Sequence, residues 1–174
     1  MPPEEYVNVK SGEPVDAAIA MADRCGPEVP DDQNPGLALA ALLGEAALAG
    51  RATLQLAASP PARSFAPWLE QLMAESTGKI GRGILPVAAE PLGAAGPAAG
   101  AVLVAMGAEP PGIGAAPRAL IPVPSAEALG AEIFRWEVAV AMASAVIGVH
   151  PFDQPDVQLA KKLAQQAIRG EDGG

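Results

Sequence analysis

The chain has one cysteine, Cys25, and one histidine, His150, in 174 residues. A lone cysteine leaves no internal disulfide, which fits a reducing compartment, and a cytoplasmic location is expected. One histidine and one cysteine cannot make a protein-only zinc site, so neither a metal nor a cofactor is expected. No G-x-S-x-G elbow is present, and no Ser-His-acid set is supported. His150 precedes Pro151 at a helix-to-helix junction and is read as structural. Aromatics make up 3% of the residues, so the core must be built from Ala, Leu, Val and Ile. Positive charge is short as well: 11 Lys and Arg stand against 20 Asp and Glu, giving a net charge of −9. That balance argues against non-specific binding to nucleic acid and to anionic membranes. Long hydrophobic runs are also missing. The longest, at 138–149, is roughly 12 residues, short of a bilayer span. The opening MPPEEY is acidic and polar, unlike a signal peptide.

What is present is a chain half of whose residues are hydrophobic, with 19 Gly and 19 Pro. Its length favours one domain, expected over residues 11–170, with a loose segment or edge strand at 1–10 and a tail at 171–174. Ser11 is expected to cap a first helix, with Pro14 in its first turn and Val15, Ile19 and Met21 on its apolar side. Asn34-Pro35 is a helix start, and the residues from Leu37 to Ala49 are apolar almost all round. Strands are predicted at 53–58, 84–87, 101–106 and 119–123, each bounded by Gly or Pro. Residues 91–100, PLGAAGPAAG, read as a loop. The connection at 107–117 barely reaches the dozen residues a parallel crossover needs. Either the strands it joins are not parallel neighbours, or the crossover lacks its usual helix. Ser125 is expected to cap a long helix reaching Ile147, whose uncharged second half demands burial in the domain or against a partner. Asp153 is expected to cap a last helix ending at Gly170, with Val157, Ala160, Ala164 and Ile168 facing inward. Alternating strands and helices predict α/β, with a mainly parallel sheet flanked by helices.

The chemistry concentrates at 71–83, QLMAESTGKIGRG. Phe65, Trp68, Leu69, Leu72 and Met73 form one apolar stripe of a helix, and Gln71 and Glu75 share a polar face four residues apart. Glu75 falls in the last turn, where the helix dipole disfavours its anion. Lys79 and Arg82 lie close enough in sequence to favour it. A carboxylate held between such influences suits a general base. The same spacing fits a solvated glutamate in a last turn. Gly78, Gly81 and Gly83, with Lys79 and Arg82, suit an anion-binding loop. The pattern is neither a Walker A loop nor a dinucleotide fingerprint. A second polar stripe, Gln154, Gln158 and Lys161, lies on the last helix, and solvent alone would also account for it.

Four runs, in order, carry a family resemblance: NPGLAL from Asn34, WLEQLMAESTGK from Trp68, LGAEIFRWE from Leu129 and PFDQPDVQLAK from Pro151. Together they resemble glucose-6-phosphate isomerase, most closely the isomerase part of bacterial transaldolase–isomerase fusion proteins, over residues 15–170. The resemblance implies a three-layer sugar-isomerase (SIS) domain acting on a sugar phosphate. By resemblance, Glu75 matches the catalytic base that moves a proton between C1 and C2 through a cis-enediol. Gln71 matches a substrate-binding glutamine, and Lys161 matches the lysine near the sugar ring oxygen. Gln154 matches a glutamine at the phosphate end, and Lys79 lies in the matched E-S-x-G-K motif as a substrate-binding candidate.

The departures set the expected activity. The family enzyme has two SIS domains, and this chain resembles the second. The first supplies a Ser/Thr-rich phosphate loop and an arginine near the base. No histidine lies between Glu75 and Phe134 to match the ring-opening histidine of many members. Alanine and glycine follow where fusion members carry an Asp-Arg pair, and the crossover helix between Met106 and Ala119 looks shortened. The expectation is therefore half of an aldose–ketose isomerase, inactive alone, working as a homodimer or with a partner chain carrying the other SIS domain. The alternative is a non-catalytic sugar-phosphate-binding, structural or regulatory descendant.

Overall fold

The computed structural model describes residues 12–88, 98–107, 116–153 and 155–169. The expectations for residues 1–11, 89–97, 108–115 and 170–174 lie outside them, as does Gln154. Helix α1 spans Gly12–Arg24 and α2 spans Pro35–Leu48. Strand β1, Thr53–Ala58, is followed by a short 3-10 turn and by α3, Ala66–Thr77. Strands β2, Leu85–Ala88, β3, Ala101–Met106, and β4, Arg118–Ile121, precede α4, Leu129–Ile147, and α5, Pro155–Ile168.

The four strands form one sheet in the order β2-β1-β3-β4, and every pairing is parallel. The architecture is the expected α/β three-layer sandwich, a parallel sheet flanked by helices. β3 and β4 are parallel neighbours, with Leu103 opposite Arg118, so the first of the two readings of their short connection is excluded. Strand β3 is buried along its whole length, as a central parallel strand flanked on both faces must be.

Alternation along the strands sends Leu54, Leu56, Val102, Val104 and Met106 into one core. There they meet Leu39 and Leu43 of α2, Leu69 and Met73 of α3, and Trp136 and Val140 of α4. Asn34 starts α2 as its sequence predicts: its Oδ1 accepts from the N–H groups of Gly36 and Leu37, both at 3.0 Å. Small residues bring α2 against α4, because a Cβ on Gly36 would meet Val138 Cγ1 at 2.7 Å and one on Gly44 would meet Val146 Cγ1 at 2.7 Å.

Several expectations are corrected. Helix α4 starts at Leu129, and its N-cap, Ala128, offers no side-chain bond. The Ser125 hydroxyl instead bonds the Glu127 carboxylate, and that bond, with the residue's own N–H, lowers the Glu127 pKa. The uncharged half of α4, expected to be buried in the domain or against a partner, is only partly covered within the chain, with Met142 and Val146 exposed. On α1, Met21 is buried but Val15 and Ile19 face water. On α5, Val157, Ala160, Ala164 and Ile168 are exposed rather than inward-facing. Among the described residues, no helix is long and apolar enough to cross a membrane.

Candidate functional site

Helix α3 is held by its apolar stripe. Phe65, Leu69 and Met73 are buried, and Trp68 stacks on Phe65 with ring centroids 4.8 Å apart. Its far end is fixed by Thr77, which is fully buried. The Thr77 hydroxyl donates to the Met73 carbonyl at 2.7 Å and accepts the Ile84 N–H at 2.9 Å. One side chain thereby closes the helix and starts the path into β2.

The polar face of α3 carries the candidate base. Gln71 Nε2 donates to Glu75 Oε1 at 2.9 Å, and the pair lies at the surface. No ion pair joins Glu75 to Lys79 or Arg82 among the described residues. Spacing alone pairs these charges; the structure turns the cations elsewhere.

Residues 79–82 form a tight turn in which the Lys79 N–H donates to the Arg82 carbonyl and the Arg82 N–H donates back, at 3.0 and 2.9 Å. Its central residues, Ile80 and Gly81, have φ of +50° and +73°, the signs a type I′ turn requires. The turn folds both cations onto the end of α4. The Lys79 ammonium is buried and donates to the carbonyls of Ser76 at 3.1 Å, His150 at 2.9 Å and Pro151 at 2.8 Å. Arg82 Nη1 donates to the Ile147 carbonyl at 2.9 Å. These are carbonyls at and just beyond helix C-termini, which carry partial negative charge and favour cations. Gly148 completes the end of α4 in the left-handed region, with φ +74°, and a Cβ there would lie 2.9 Å from Arg82 Nη1.

The geometry gives Lys79, expected as a substrate-binding residue, a structural task. An ammonium has three N–H donors, and all three of Lys79's already have carbonyl partners. The basic, glycine-rich loop is a clasp between the ends of α3 and α4. His150 contributes its carbonyl to that clasp. Its ring is exposed, 3.4 Å from Asp153 Oδ1, and packs edge-on against Phe152. Asp153 thus turns back to His150.

The remaining site residue in view is Lys161, exposed on α5, with no hydrogen bond or ion pair to Glu75. The structure therefore joins Gln71 to Glu75 and leaves Lys161 apart. A groove of about 810 Å³ lies beside the clasp, lined by Leu48, Thr53, Arg82, Leu85 and Ile147 among others, but by neither Gln71 nor Glu75. Among the described residues, no cluster of three or more His, Cys, Asp or Glu could hold a metal.

Sequence reasoning passed over Glu132. It is a buried carboxylate on α4, 3.3 Å from Arg135, and its Oε2 has no hydrogen-bond partner among the described residues. Burial raises its pKa, and the charges of Arg135 and then Arg24 oppose that shift. The available signal is its position four residues before Trp136, on the same helix face.

No family model matches the chain, and no curated protein matches it. Among solved structures, the chain is similar to the crystal structure of a hypothetical protein from Thermus thermophilus, with a TM-score of 0.71 and 16% identity. The match covers 92% of this chain and 51% of that one, so the chain spans about half the length of that protein. At this identity the likeness is one of fold.

Proposed function

We propose that this chain is half of an aldose–ketose isomerase of the glucose-6-phosphate isomerase type, acting in the cytoplasm with a second SIS domain. Glu75 takes the proton from C2 of the open-chain aldose phosphate. The C1–C2 enediol forms as the O1 carbonyl takes a proton from water, and Glu75 returns its proton to C1 as the O2 hydroxyl gives its proton back to water and becomes the ketone. Gln71 orients the base and contacts the sugar. Lys161 serves the ring oxygen and Gln154 the phosphate, the roles that the family resemblance implies for them. The partner domain supplies the phosphate loop that this chain lacks.

The observation that carries this reading is the Glu75 carboxylate. It lies at the surface, held by Gln71 at 2.9 Å, and is not committed to an ion pair among the described residues. It also sits on a helix end made rigid by Thr77 and the Lys79–Arg82 clasp. A base needs that combination of fixed position and free oxygens. A fold that matches about half of a longer chain supports the need for a second domain. A non-catalytic sugar-phosphate-binding or structural subunit is the competing reading, favoured by the complete use of Lys79's donors on carbonyls.

The test is a coupled assay for conversion of fructose 6-phosphate to glucose 6-phosphate. The chain purified alone should run at background. The native complex isolated from its own cells should turn over, and Glu75→Gln should lower its rate by about 10²–10⁴-fold with the complex intact. A native complex with no isomerase activity, or one indifferent to Glu75→Gln, overturns the reading and favours the non-catalytic one.

A further inference from the structure

We propose that the groove beside the Lys79–Arg82 clasp binds a small monocarboxylate with an apolar body, its carboxylate held by Arg82 and the Gly81–Gly83 backbone. The inference does not rest on the isomerase reading, because neither Gln71 nor Glu75 lines this groove.

The walls set the body of the ligand. The groove has a volume of about 810 Å³. Small-molecule sites measure about 300–1,000 Å³ and are mostly apolar, with a few placed polar groups. Leu48 at the end of α2, Leu85 and Pro86 at the start of β2, and Ile147 at the end of α4 supply apolar surface. Leu48 and Leu85 are 61% and 64% exposed, so an aliphatic chain laid between them is favoured by the water it displaces.

Arg82 and its neighbours set the head. Among the described residues that line the groove, Arg82 alone is charged, in a chain whose net charge is −9. Its Nη1 is anchored on the Ile147 carbonyl at 2.9 Å, which fixes the guanidinium at the wall. The Nε–Nη2 edge makes no hydrogen bond or ion pair among the described residues. That edge is a two-pronged donor matched to a carboxylate. Gly81 and Gly83 have φ of +73° and +146°, with Arg82 between them at negative φ. Neither glycine's N–H has a hydrogen-bond partner among the described residues. Successive N–H groups in such alternating conformations form anion-binding concavities.

The same groups argue against a sugar phosphate in this groove. The Lys79 ammonium is fully committed to carbonyls, so Arg82 is the cation that remains to the loop, and one guanidinium balances a monoanion. Sugar hydroxyls set against Leu48, Leu85 and Ile147 would leave water without gaining new partners. A medium-chain fatty acid, with one carboxylate and an apolar chain, is the simplest ligand that meets both requirements.

Titration calorimetry with octanoate tests this, against acetate, which is the head alone, and 1-octanol, which is the body with an uncharged head. Octanoate should bind with a Kd of about 0.1–1 mM. Acetate and 1-octanol should each bind at least about tenfold more weakly. From hexanoate to octanoate to decanoate, each step should tighten binding about tenfold. Arg82→Gln should weaken octanoate by about tenfold or more and leave 1-octanol within about twofold. Leu48→Glu retains Arg82 and puts a like charge on an exposed part of the wall. It should weaken octanoate by about tenfold with the circular dichroism unchanged, which keeps the test valid where Arg82→Gln loosens the clasp. No saturable octanoate binding overturns the proposal. So does 1-octanol binding as tightly as octanoate, which would mark the groove as plain apolar surface for a macromolecule. Octanoate binding indifferent to both variants overturns it as well. The isomerase test uses Glu75 and neither of these positions, so each proposal fails on its own.

Discussion

The Lys79 ammonium donates to the Pro151 carbonyl at 2.8 Å across a sequence separation of 72 residues. It thereby joins the end of α3 to the residues that lead into α5. The same ammonium also holds the Ser76 and His150 carbonyls, so one cation fixes both helix ends against each other. The position of Glu75, four residues earlier, follows from this arrangement.

Removing that cation should cost the fold more than its surface address in a glycine-rich loop implies. Lys79→Met keeps the aliphatic stem and deletes three charge-assisted bonds. Such bonds are each worth about 1.5–3 kcal/mol, and part of the loss is recovered where water reaches the freed carbonyls. The expected destabilisation is about 2–3 kcal/mol, measured as a lower urea midpoint at unchanged m. Amides at 148–153 should exchange faster. A change under about 0.5 kcal/mol would place Lys79 among ordinary surface lysines.

Much of this is legible in the sequence where the local chemistry is self-contained. Asn34-Pro35 names a helix start because the cap and the N–H donors it accepts from lie within three residues. Gly, Pro and apolar runs bound β1 and β3 correctly. Periodicity fails where it has to name a partner. It finds the apolar half of α5, but a stripe does not say what covers it, and here nothing among the described residues does. It puts Val15 and Ile19 inward because it counts large side chains, whereas α1 meets α4 through the backbone at Pro14 and Gly130. It pairs Glu75 with Lys79 and Arg82 by distance along the chain. The acceptors those cations take come mainly from residues 147–151, far off in sequence, and backbone carbonyls carry no sequence signal.

The α1–α4 crossing makes Gly130 a second test. A Cβ at this position would overlap the Pro14 carbonyl oxygen, and backbone cannot swing aside as a flexible side chain can. Gly130→Ala gains about 1 kcal/mol of helix propensity. Overpacking against fixed backbone costs about 1–3 kcal/mol or more. The clash should win, with a net loss of stability and faster hydrogen exchange along α1. A stabilised Gly130→Ala protein would show that α1 packs less closely than the structure has it.

Glu132 gives the chain a pH dependence of definite sign. Burial raises the pKa of its carboxyl in the folded state, against the opposing charges of Arg135 and Arg24. A raised folded pKa means the native state holds the proton where the unfolded state has lost it. The stabilisation is therefore complete below the ordinary glutamate pKa and disappears as pH rises through the folded value. Glu132→Gln cannot titrate, so it removes this dependence while retaining the shape. It also leaves Arg135, 15% exposed, without its carboxylate, a loss that does not vary over this pH range. The difference in unfolding free energy between wild type and Glu132→Gln should thus move toward the wild type as the solution is acidified from neutral pH to the ordinary glutamate pKa. Paired urea titrations at several pH values measure it. A difference that stays constant, or moves toward the variant, would mean that Arg135 and Arg24 outweigh burial at this carboxyl.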